Sequence, residues 1–130
     1  MTEEQLFNIV KITHVPDLKW SDTYNARIDC YSERYKMDIE LKCRTKHYDE
    51  LLIEKDKYDS LMQRSSKYNT TPIYINSTPK GVFVFNLGAV PEPQWKDKGG
   101  LPTTSHFNNK TLIVKTVGFL PINLAKKISE

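Results

Sequence analysis

Two cysteines and three histidines are all that this 130-residue chain holds of those types, and each shortage excludes a class of function. His14, His47 and His106 stand far apart, with no metal-ligand spacing among them. Cys30 and Cys43 are too few for a disulfide framework and are expected as reduced, buried thiols of an intracellular, cytoplasmic protein. No run approaches the roughly 18 apolar residues of a membrane span, and no basic-then-apolar segment precedes a small-residue cleavage site, so neither a membrane partner nor a secretory signal is expected. Nineteen Lys and Arg against sixteen Asp and Glu leave a net charge of only +3. Any nucleic-acid surface must therefore come from clustering and not from bulk basicity. Repeats and low-complexity segments are missing too, and the length suits one domain over 1–130 with a single core.

What is present reads as an alternation of helices and strands. Thr2 to Gln5 resembles a capping box opening a helix to about Ile12, with Leu6, Phe7, Ile9 and Val10 on its apolar face and Pro16 ending the element. Residues 51–53 fit a strand or a helix, and 54 to about 65 fit a helix with Tyr58, Leu61 and Met62 inward. Residues 72–76 and 82–85 read as a central strand pair around a five-residue turn at 77–81, and 111–117 as a last strand before a short charged tail. The fold class expected is α/β, a mixed central β-sheet flanked by helices.

The chemistry concentrates in residues 35–43. Met37, Ile39, Leu41 and Cys43 alternate with Asp38, Glu40, Lys42 and Arg44, the pattern of a strand with one apolar and one polar face. Upstream, Ala26, Ile28 and Cys30 form an apolar face, while Asn25, Arg27, Asp29 and Tyr31 form a polar one; Ser32 to Arg34 suits a hairpin connection. Asp29 then lies beside Asp38 or Glu40. Side chains at i and i+2 share a face about 7 Å apart, so Glu40 and Lys42 can flank one phosphate. Magnesium takes oxygen ligands and keeps several waters, so two carboxylates plus phosphate oxygens suffice to hold it. On this reading Asp29 and Glu40 hold the metal, which makes a hydroxide-like nucleophile, and Lys42 orients that water or stabilises charge on phosphorus.

Asp29, the hairpin and Glu40-x-Lys42 resemble the PD-(D/E)xK nuclease superfamily, the restriction-endonuclease-like fold of Holliday junction resolvases and many phage nucleases. Glu54-x-x-x-Tyr58 on the downstream helix is similar to the QxxxY motif of its exonuclease branches, with glutamate in place of glutamine. The resemblance covers roughly residues 1–87. It implies a magnesium-dependent deoxyribonuclease, a phosphodiester hydrolase for which manganese can serve, acting on DNA and working as a homodimer because a junction needs two cuts. Pro16-Asp17-Leu18-Lys19 spells the same letters, but no alternating strand surrounds it, and it reads as a turn.

Lys36, Arg44, Lys46, Lys55 and Lys57 are expected to crowd the site as a basic rim for nucleic acid. Several members admit plainer roles. Asp29 and Arg27 fit a charge ladder with Lys42 and Glu40, Asp38 could replace either carboxylate as a ligand, Glu54 could pair with Lys57, and Tyr58 could pack on the sheet. The alternative function is a non-catalytic module that keeps the fold and binds nucleic acid or protein. Residues 88–109 carry Pro91, Pro93, Gly99, Gly100 and Pro102, a long loop that fits a substrate clamp, a dimer arm or an Ω-type loop anchored by Trp95.

Overall fold

A computed structural model describes residues 1–21, 28–102 and 112–129. Its first element is helix α1, Glu3–Thr13, opened by the expected capping box: Thr2 Oγ1 accepts from the Gln5 amide at 3.1 Å, and Gln5 Oε1 accepts from the Thr2 amide at 2.9 Å. Two donors that would otherwise lack partners are thereby satisfied at a helix start. The helix buries Leu6, Phe7 and Val10.

Six strands form the main sheet in the order β1 (Lys19–Trp20), β2 (Cys30–Ser32), β3 (Met37–Cys43), β5 (Thr71–Thr78), β6 (Gly81–Asn86) and β9 (Lys126–Ser129). Among the described residues only β3 and β5 run parallel, and the chain between them forms β4 (Glu50–Glu54) and helix α2 (Lys55–Tyr68). A parallel pair requires such a crossover. A second, antiparallel sheet has the order β4, β8 (Leu112–Pro121), β7 (Lys96–Pro102).

Alternation along β3 and β5 divides the core in two. Ile39, Leu41, Ile73 and Ile75 join α1's Leu6 and Val10 on one face, while Tyr74 and Phe85 meet Leu51, Ile53, Leu61 and Leu120 on the other. The main sheet is thus packed between α1 and a layer made of α2 and the small sheet. This is the expected mixed sheet flanked by helices.

The structure departs from the sequence reading in several places. Ile28 and Cys30 do not share a face: Ile28 belongs to the α2-side core and Cys30 to the α1-side core, because residues 28 and 29 form a bend before β2 begins. Asn25, Ala26 and Arg27 lie outside the described residues. Cys43 is only half-buried. The turn at 77–81 shortens to Pro79 and Lys80, since Ser77 and Thr78 continue the ladder opposite Val82 and Gly81. Gly81 carries φ 137°, a conformation that glycine adopts without steric cost. Helix α2 runs on to Tyr68, where Asn69 caps it in the left-handed conformation. Segment 51–53 is a strand, the last third adds β7 and β9, and β8 extends four residues beyond Val117. Trp95 does anchor its segment, packing edge-on against Tyr58 with ring centres 5.1 Å apart and, beside Pro93, over Gly118. His106 and Phe107 lie outside the described residues.

Candidate functional site

Strand register decides which carboxylates meet. Cys30 pairs with Ile39 and Tyr31 with Asp38, which sets Asp29 against Glu40 and away from Asp38. The Asp29 amide still donates to Ile39 O at 3.1 Å, after which the chain bends out of the ladder. The next donor on β3, the Leu41 amide, is satisfied by Asp29 Oδ2 at 2.7 Å. One oxygen of Asp29 is therefore fixed by backbone, and its carboxyl group stands close enough to that of Glu40 to raise the proton affinity of Glu40.

Glu40 is buried, and its carboxyl is pushed up to about 8, first by burial and then by the negative charge of Asp29. Lys57 of α2, with Nζ 3.8 Å from Glu40 Oε2, works against that rise. The same contact raises Lys57 above the ordinary lysine value, so the ammonium keeps its proton. Asp29, Glu40, Lys42 and Lys57 line one cavity of about 100 Å³, which Glu54 and Tyr74 also line. Glu3, from the first turn of α1, completes the acidic side. A water occupies about 30 Å³ of liquid volume, so the cavity admits an ion with part of its hydration shell.

Other residues of the sequence reading are placed elsewhere. Asp38 is buried against Arg64 Nε at 3.3 Å and Thr70 Oγ1 at 2.7 Å, a structural network under α2. Glu54 accepts from Lys115 Nζ at 2.8 Å. Tyr58 is buried in the core against Trp95 and does not line the cavity. Arg44 turns inward to join the two sheets, donating to Asn76 Oδ1 at 2.7 Å, to Tyr74 Oη at 3.1 Å and to the Leu52 carbonyl. Lys46 is exposed in the β3–β4 connection, and Lys55 pairs with Asp59 at 2.7 Å. Lys36 lies in the β2–β3 turn at the opposite end of β3 from Lys42, about 20 Å along the strand. Of the five expected rim cations, only Lys57 lines the cavity.

Nothing in the local sequence of Glu3 signals that α1 carries it to the cavity. Among the described residues no three His, Cys, Asp or Glu side chains form a ready cage for a metal ion. The donor set is nevertheless suited to a hard divalent cation. Asp29 and Glu40 present adjoining carboxyl oxygens whose mutual repulsion Lys57 only partly offsets, and such ions fill their remaining positions with water.

The solved structure of Hjc, a Holliday junction resolvase from Archaeoglobus fulgidus, superimposes on this chain with a TM-score of 0.61 over 96% of this chain and 95% of that one, at 11% sequence identity. The two share the restriction-endonuclease-like fold. No family model and no curated protein sequence matches the chain. At this identity the likeness to Hjc establishes architecture, and the residues of the cavity carry the functional argument.

Proposed function

We propose that this chain is a metal-dependent, structure-specific DNA nuclease, a single domain over 1–130 that uses magnesium or manganese and acts on branched DNA as a homodimer. The observation that carries the reading is the meeting of the Asp29 and Glu40 carboxyls in a cavity that Lys42 and Lys57 also line. The fold shared with a resolvase supports it.

A divalent cation held by Asp29 and Glu40 would supply Lewis acidity and a water of lowered pKa. The chain's own groups do the rest. The Leu41 amide fixes one Asp29 oxygen, so the carboxyl keeps its orientation without a mobile partner. Lys42 and Lys57 place ammonium charge beside the pocket, where negative charge builds on a phosphate during attack. Tyr74, bonded to Leu52 O at 2.9 Å and pushed well above the usual phenol range by burial, remains a neutral wall residue.

The test is a substrate panel of four-way junction, flap, single strand and linear duplex DNA, each with magnesium, with manganese and with chelator. Metal-dependent cleavage that favours a branched substrate is expected. DNA binding with no cleavage under any condition would replace this reading with the non-catalytic module.

A further inference from the structure

Beyond Glu54, the face of the small sheet that borders the cavity continues outward as a row of cations. Glu54 on β4 pairs with Val117 on β8, Val117 pairs with Lys96 on β7, and Lys115 pairs with Lys98. Cross-strand partners share a face, as do side chains two apart on one strand, so Lys96, Lys98, Lys115 and Phe119 stand on the same side as Glu54. Asp97, between the two β7 lysines, points to the opposite side and accepts from Thr116 Oγ1 at 2.8 Å. The alternation thus sorts cations toward the cavity side and the acid away from it.

Lys115 is committed to Glu54. Lys96 and Lys98 are exposed, and their ammonium groups sit 4.8 and 5.7 Å from the centre of the Phe119 ring. Among the described residues neither forms a salt bridge. The electron-rich face of the ring attracts both ammoniums, modestly at an exposed site, which biases the two lysines toward this side of the sheet. Lys96 lies two strand spacings, about 10 Å, from Glu54 at the cavity edge.

We propose that the Lys96–Lys98–Phe119 face of β7 and β8 is the track along which the phosphate backbone of the nucleic acid lies as it approaches the cavity. An open row of cations on a rigid sheet suits a repeating anion, and its continuity with Glu54 leads that anion toward Asp29 and Glu40. The identity of the anion rests on the nuclease reading; the row itself does not.

The experiment measures binding of labelled four-way junction and duplex DNA to the full chain without divalent metal, between 50 and 200 mM salt. Each neutralised phosphate contributes about 0.9 to the slope of log K against log salt. The Lys96→Gln/Lys98→Gln double variant is expected to bind about tenfold more weakly at physiological salt, with a slope smaller by about 2. Lys96→Arg/Lys98→Arg is expected to restore both. Wild-type affinity and slope in the glutamine variant would overturn the proposal, as would an arginine variant as weak as the glutamine one. Because the readout needs no catalysis, a wild-type chain that binds through these lysines but cuts nothing would sink the nuclease reading and leave the track in place. Cleavage that persists with unchanged binding would do the reverse.

Discussion

Asp29, in the bend before β2, stands opposite Glu40 of β3, with Asp29 anchored at 2.7 Å to the Leu41 amide and Glu40 facing Lys57 at 3.8 Å. Asp29 therefore does two things at once: it replaces a missing rung of the sheet and raises the proton affinity of its neighbour.

Substitutions at Asp29 separate those two roles. Asp29→Ala strands the Leu41 amide, and a buried donor without a partner costs about 1–3 kcal/mol. Asp29→Asn keeps an acceptor oxygen but loses the charge. Urea titration is expected to show Asp29→Ala destabilised and Asp29→Asn close to wild type, while calorimetry shows both with weakened magnesium binding. Equal destabilisation by the two would remove the ladder role.

Stability without metal should depend on pH through Glu40. Its carboxyl titrates at about 8 in the fold against a reference of 4.5, so between those values the folded chain holds a proton that the unfolded chain has released. The stabilisation is complete below about pH 4.5 and is lost as pH rises through about 8. In chelator, the melting temperature of Glu40→Gln relative to wild type should therefore be higher at pH 9 than at pH 5. A constant difference across that range would show that Glu40 is not proton-loaded.

Arg44 looks like a surface cation in sequence but is a clamp between the sheets. Arg44→Ala leaves Asn76, whose amide nitrogen already lacks a partner, without its remaining side-chain bond. A loss of about 2–4 kcal/mol is expected by chemical denaturation. Lys46→Ala, at an exposed position, should stay within about 0.5 kcal/mol of wild type. Comparable small losses in both would refute the clamp.

At Gly118 an added Cβ would stand 2.7 Å from Pro93 Cβ and 3.0 Å from Trp95 Cζ3. Gly118→Ala should displace the 91–95 segment, lower stability by about 1–3 kcal/mol and shift Trp95 fluorescence. An unchanged emission maximum would place that segment elsewhere.

Much of the fold was legible because 37–43 alternates cleanly, 72–76 and 82–85 are short runs rich in β-branched and aromatic residues, and the capping box marks α1. The pairing partner of Asp29 was not legible, since no Asn-Gly or Asp-Gly turn fixes the register and one step exchanges Asp38 for Glu40. The small sheet stayed hidden because β7 includes Gly99, Gly100 and Pro102, which read as loop. The tail gave too short an alternation to reveal β9. Glu3 and the inward turn of Arg44 depend on tertiary packing, which no local pattern records. Lys96 and Lys98 went unnoticed for the related reason that their strand did.

The proposed nuclease activity rests on the Asp29–Glu40 pair as the place where the metal is held. Its most direct test is single-turnover cleavage of a four-way junction at saturating protein and magnesium, comparing wild type with Glu40→Gln, a variant that keeps the shape of the side chain. A rate lower by at least about 100-fold is expected for Glu40→Gln, the scale on which losing a charge-stabilising group acts. Cleavage by Glu40→Gln at the wild-type rate would contradict it.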